Sequence, residues 1–285
     1  MLWYTECVFG ICGYITARGE IYMEILELLN LDMAGLIQVY LIVCPLVFLA
    51  GFIDSIAGGG GLIATPAYML AGLPMHMVLG TNKAMSVFGT SVSMFRYIKS
   101  GNIHWRAAIV AAIGSFLGSA VGSRVALMID ADALKTFFVC ILPFVALFVL
   151  FNKKKGDDNS KLLDGSKLNA VAFMVGVVTG AYDGLIGPGA GTFMIFGFTM
   201  FVGLDYIKSS GCAKVVNVAS NISAFITFVM AGKVIWALAI PAAAFNMAGS
   251  YLGSGYAIKY GNKLVKKVLI VVLIGIFVKL AIDVL

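Results

Sequence analysis

Four of the charged side chains inside long apolar stretches form two like pairs. They are Lys83 in LGTNKA, Lys214 in SGCAKV, Asp54 in GFIDSIAGGGG and Asp183 in GAYDGLIGPGAG. A charge held at the centre of a bilayer costs about 2.5–3.5 kcal/mol on insertion scales, and such groups mark ion or substrate pathways. Two lysines facing one space can neutralise an anion from two sides. Thr81, Asn82 and Cys212 flank them and can donate to, or line, such a site. The other reading for each lysine is that it snorkels to the interface. Each aspartate can carry a coupling proton, hold a nearby lysine or cap a half-helix, and structural pairing is the preferred role.

The aspartates stand beside glycine runs. Gly58, Gly59, Gly60 and Gly61 follow Asp54, and Gly187, Gly189 and Gly191 follow Asp183. Each Gly costs a helix roughly 1 kcal/mol relative to Ala, and Pro66 and Pro188 remove further donors. These runs predict breaks in helices that hydrocarbon cannot satisfy, so the breaks are buried in protein or line a wet cavity. Half-helix N-termini at such a break suit an anion. A packing kink is the plainer alternative.

The two runs belong to one repeated unit. Gly51, Asp54 and Gly58 recur 129 positions later as Gly180, Asp183 and Gly187. Past the break the offset is 131, relating Gly80 to Gly211, Lys83 to Lys214, Trp105 to Trp236, Gly118 to Gly249 and Gly122 to Gly253. Paired, interrupted apolar segments in corresponding halves point to a transporter's binding site.

Composition sets the class. Of 285 residues 61% are hydrophobic and 12% charged, against about 45–50% and about 25% in soluble domains. The sequence therefore reads as an all-α polytopic membrane protein, bound to the lipid bilayer. The net charge of +6 comes from lysines in short loops, so it orients the chain rather than binding nucleic acid. Five scattered cysteines form no C-x-x-C pair or zinc spacing.

Residues 1–35 form an N-terminal segment, read as a start-site artefact, with Met23 or Met33 the true start, or as a surface helix over Glu24–Asp32; it is not a signal peptide. The first repeat covers 36–151, with a broken span 36–70 and spans 78–98, 107–129 and 134–151. A charged linker covers 152–167. The second repeat covers 168–285, with a broken span 168–201 and spans 207–230, 234–258 and 268–282. If the broken segments are re-entrant, one face collects twelve basic residues and the other holds Arg18, Arg124, Lys135 and Lys233. The positive-inside rule then predicts two inverted repeats, a cytoplasmic linker and both termini outside a cell-membrane protein.

Other motifs read more plainly. Ser86, Thr90, Asn217, Ser220 and Asn221 line either a wet pathway or helix–helix contacts. Gly114, Gly118, Gly122, Gly249 and Gly253 form G-x-x-x-G stripes for close packing, within a protomer or in a homodimer. His76 and His104 are lone histidines, and no metal, cofactor or catalytic motif is expected. An anion channel and an intramembrane enzyme are the alternatives to a carrier.

The run GFIDSIAGGGGLIATP, then GLP, then GTNKA, with GAYDGLIGPGAGT in the second half, resembles the TauE/SafE family of transporters. The resemblance covers about 36–285. It implies a secondary carrier for sulfite, sulfonates or related anions. Carried over by position, it implies a site at Gly58–Gly61, Gly187–Gly191, Thr81, Asn82, Lys83, Cys212 and Lys214. SGCAK stands where the first half has GTNKA, so one side of that site lacks a hydroxyl and an amide.

Overall fold

The computed structural model describes residues 33–138, 140 and 162–284, with 33–34 and 261–284 as backbone only. The readings for residues 1–32, the end of the span 134–151 and most of the linker lie outside the described residues. The helices are α1 (Met33–Ala57), α2 (Gly61–Leu70), α3 (Met75–Lys99), α4 (Trp105–Met128), α5 (Gly165–Leu185), α6 (Ala190–Gly197), α7 (Tyr206–Met230) and α8 (Trp236–Val284). A helical run at 131–138 follows α4, a π-turn at Phe198–Val202 extends α6, and no strand occurs among the described residues.

Among the described residues, four helices are long and apolar enough to cross a membrane: α1 from Gly35, α4, α5 and α7. At 1.5 Å per residue they match a hydrocarbon core of about 30 Å. The chain is an all-helical, multi-pass membrane protein. α3 is as long, but buries Asn82, Lys83, Thr90 and Ser93 along one helix. α8 departs from the sequence reading, because it runs on through 259–267 without a break between the spans 234–258 and 268–282. That stretch has one glycine and no proline, and its lysines favour helix. The second half also begins earlier than expected. Asp164 accepts from the Gly165 N–H at 2.6 Å and starts α5 three residues before Leu168.

Contacts in the two halves are matched. α4 lies on α5, and α8 lies on α1. A Cβ on Gly118 would fall 2.3 Å from the Val177 carbonyl oxygen, and one on Gly249 would fall 2.0 Å from that of Phe48. Gly122 meets the Ala181 carbonyl in the same way, and Gly253 meets that of Phe52. Each pair maps onto the other at the repeat offsets. The G-x-x-x-G stripes therefore bring backbones together inside one chain, where van der Waals contact replaces a hydrophobic drive.

Buried side chains gather in two clusters. One joins Leu36, Val43 and Val47 of α1 to Ala64 and Tyr68 of α2, Val78 of α3, Ala126 of α4, Phe228 of α7 and Leu238 of α8. The other joins Ile56 and Ala57 at the end of α1 to Tyr97 of α3, Ala107 of α4, Leu168 and Ala172 of α5, Met194 of α6, Val216 of α7 and Ala257 of α8. α2 thus shares the first cluster with the first half of α1, and α6 shares the second with the first half of α5.

Candidate functional site

The two breaks meet. The first occupies residues 58–60 and the second 186–189, so Gly61 and Gly191 belong to α2 and α6. Gly58 adopts φ +78°, and a Cβ there would lie 2.2 Å from the Gly191 carbonyl carbon. Only glycine serves both demands. The Thr192 N–H donates to the Gly58 carbonyl at 3.2 Å, and the Thr192 hydroxyl donates to the Ala57 carbonyl at 2.9 Å. Each break thus satisfies part of the other's freed backbone, as a buried break requires.

The charges pair across the halves. Lys83 of α3 lies 2.7 Å from Asp183 of α5, and Lys214 of α7 lies 2.7 Å from Asp54 of α1. The aspartate of each repeat therefore holds the lysine of the other. Neither lysine snorkels, since their side chains are 3% and 0% exposed. Lys83 also donates to the Asn221 side chain at 3.1 Å, and Lys214 donates to the main-chain carbonyl of Asp54.

A small polar cavity of about 30 Å³ lies between the pairs. Its walls include Asp54, Gly60, Asn82, Lys83, Asp183 and Asn246. Ser86, Thr90, Asn217 and Asn221 also face it. The volume holds a water or two, against about 10–15 Å³ needed for one. Asn82 is 4% exposed and its Oδ1 has no partner among the described residues. An amide can present either its oxygen or its NH₂ to an occupant.

The predicted site residues divide. Gly58, Gly60, Gly61, Asn82, Lys83, Gly187 and Gly191 line the cavity with both aspartates, and Gly59, Thr81, Gly189, Cys212 and Lys214 do not. Lys214 sits behind Asp54. Thr81 and Cys212 have a common job elsewhere. The Thr81 hydroxyl accepts from the Ile235 N–H at 3.1 Å, just before α8, and the Cys212 Sγ accepts from the His104 N–H at 3.3 Å, just before α4. Thr81 with Ile235 and Cys212 with His104 are equivalent under the 131 offset. The change from Thr to Cys therefore keeps a loop contact and removes nothing from the cavity; only the amide of Asn82, opposite Ala213, is one-sided.

Asn246 was not singled out from the sequence. It is the one amide in the otherwise apolar first turns of α8, and that is the signal that marks it. Its amide donates to the Val47 carbonyl at 3.1 Å, and its Oδ1 fills the space left by Gly89. The histidines stay structural: His76 contacts the carbonyls of Ala126 and Ile129 at 3.1 and 2.9 Å, and His104 caps α4.

A helical membrane protein with two crossed ion pairs around a polar cavity at paired helix breaks has the build of a small-solute transporter. The chain belongs to the sulfite exporter TauE/SafE family, whose model matches residues 43–280. It is 34% identical over 238 residues to a probable membrane transporter protein, ORF9, of Sinorhizobium sp., covering 83% of this chain and 90% of that protein. It is 31% identical to a probable membrane transporter protein of Haemophilus influenzae, covering 83% and 92%. It is 32% identical to the probable membrane transporter protein YfcA of Escherichia coli K12, covering 82% and 87%. No solved structure matches.

Proposed function

We propose that the protein is a secondary carrier in the cell membrane that moves a small, sulfur-containing anion by alternating access. The observation that carries the reading is the pair of crossed Lys–Asp bridges closing a polar cavity where both helix breaks meet. The cavity binds the anion through Lys83, the Asn82 amide and the Gly60 N–H. Its volume is too small for a sulfonate, which agrees with a closed state that must widen to load. Each bridge joins one repeat to the other, so relative movement of the repeats opens or strains both. An anion channel would need a continuous path instead of this constriction.

In this reading the two repeats are inverted and the helix pairs α1–α2 and α5–α6 are re-entrant. The shared clusters of α2 with α1 and of α6 with α5 support that topology. So does charge. Lys99, Arg106, Lys167, Lys208 and Lys259 lie on the ends that build the second cluster, against Arg124, Lys135 and Lys233 on the other. The linker end is then cytoplasmic.

Thermal shifts of the purified protein with sulfite, thiosulfate, ethanesulfonate, acetate and phosphate test the substrate class, since native-state binding raises stability. A shift with the sulfur oxyanions is expected; shifts with none of them, or with acetate alone, would sink the anion assignment. Single cysteines at Lys208 and Lys233, labelled from one side of sealed vesicles, test the topology. Labelling of both from the same side would remove the inversion.

A further inference from the structure

We infer that Asp54 is the proton-binding residue of this carrier, taking up one proton as the anion enters while Asp183 stays ionised. The inference rests on the reading of the cavity as an anion site, and it begins from a charge mismatch. The cavity wall carries two carboxylates, Asp54 and Asp183, and one ammonium, Lys83, because Lys214 is fully buried behind Asp54. With Lys214 at 2.7 Å behind Asp54 the four charges of the two bridges sum to zero, so an anion entering that space adds one uncompensated negative charge. Neutralising one carboxylate restores the balance, and a proton is the smallest means of doing so.

The surroundings choose between the two. Asp183 has both oxygens engaged by strong donors: Lys83 at 2.7 Å on Oδ1 and the Ser220 hydroxyl at 2.6 Å on Oδ2. Its side chain is 5% exposed. Hydrogen bonds to the ionised form favour that form. Asp54 is held on Oδ2 by Lys214 at 2.7 Å, but its Oδ1 receives only the Gly60 N–H at 3.3 Å, and it is 16% exposed on the cavity side. The sequence supplies the difference, since the position equivalent to Ser220 is Gly89, which has no hydroxyl to give.

Protonation of Asp54 takes the carboxylate from a fully buried lysine, and the incoming anion supplies the replacing negative charge. Lys214 keeps the main-chain carbonyl of Asp54 as acceptor. The Gly60 N–H is released toward the cavity, where it can donate to the anion. The charged and titratable groups around Asp54 are few. Lys214 faces it from α7, Tyr97 from α3 with its hydroxyl on the Ser55 carbonyl at 3.1 Å, and Lys83 and Asp183 across the cavity. α2, α6 and α8 present neutral groups, Asn246 among them. One proton accompanies each monovalent anion, and the cycle moves no net charge.

The test uses the full chain in lipid nanodiscs. First, the carboxyl C=O infrared band is followed through a pH titration with no anion present. Over the common background of the other acids, one carboxyl band is expected to titrate in both the wild type and Asp183→Asn and to be missing from Asp54→Asn. Should Asp54→Asn fail to fold, Asp54→Glu is expected to move the band. A band unchanged by both Asp54 variants, or lost in Asp183→Asn, overturns the assignment. Second, the affinity for ethanesulfonate, whose own charge is constant across the range, is measured against pH. A fall of about tenfold per pH unit above the Asp54 titration is expected, flat in Asp54→Asn. The same slope in Asp54→Asn, or a requirement for sodium instead of protons, overturns it. If no sulfur oxyanion binds the wild type at any pH, the anion reading falls, and the infrared titration still decides whether Asp54 takes the proton.

Discussion

Lys83–Asp183 and Lys214–Asp54 join equivalent positions of the two halves at the same 2.7 Å, yet their settings differ. The first pair carries two extra side-chain partners, Ser220 and Asn221, and its acid is only 5% exposed. The second has Gly89 and Thr90 at the equivalent positions, and its acid, 16% exposed, is the more open of the two. Duplication supplies the geometry twice, and divergence at two neighbouring residues makes one bridge a fixed strut and leaves the other able to respond. The glycines repeat the lesson. Gly58 and Gly187 are equivalent and both left-handed, at φ +78° and +91°, but backbone crowds only Gly58.

The largest difference between the halves is expected at those two glycines. In Gly58→Ala the new methyl would sit 2.2 Å from the Gly191 backbone, and neither strand of the crossing can move alone. A loss of more than about 4 kcal/mol, read as failure to recover folded protein, is expected. In Gly187→Ala the nearest atom is 3.4 Å away, so only the left-handed backbone is penalised, at about 1–2 kcal/mol. Equal recovery of the two variants would mean that the crossing of the breaks is not tight.

The ion pairs come next. Lys83→Met leaves Asp183 buried without its cation, and losing one partner of a buried pair costs about 3–5 kcal/mol. Lys214→Met leaves Asp54 partly open to the cavity and still bonded to Gly60, so a smaller loss is expected. Denaturation of both variants in the same detergent ranks them, and a larger loss for Lys214→Met would invert the assignment of strut and responsive pair.

Much of this architecture was legible. The repeat, both glycine breaks and the lengths of most spans follow from offsets and apolar runs. The partners of the four charges were not. Asp54 and Lys214 stand 160 residues apart, and nothing in either repeat alone reveals that each acid reaches the other repeat's base. Helical rotation hid a second point. Thr81, Asn82 and Lys83 are consecutive, so about 100° separates each from the next, and motif matching alone cannot tell which face the cavity. Only Asn82 and Lys83 do. Asn246 escaped because its equivalent is Ser115, which breaks the pattern of identical residues at the offset.

The smallest difference is expected at Thr81 and Cys212. Thr81 and Cys212 hold the loops before α8 and α4 by accepting one N–H each. Both are fully buried, so no water replaces a lost acceptor. Thr81→Val keeps the shape and removes a hydroxyl acceptor, stranding the Ile235 N–H; a loss of about 1–3 kcal/mol is expected. Sulfur accepts more weakly than oxygen, so Cys212→Ala strands a weaker bond and falls at the low end of that range. Cys212→Ser restores an oxygen in nearly the same volume and is expected to sit within about 0.5 kcal/mol of wild type, with anion affinity unchanged. The affinity is the deciding measurement. A residue that tethers a loop on the far side of its helix alters stability without touching binding. If Cys212→Ser changes affinity severalfold at unchanged stability, position 212 reaches the occupant after all, and the two halves are more alike at the cavity than their side chains suggest.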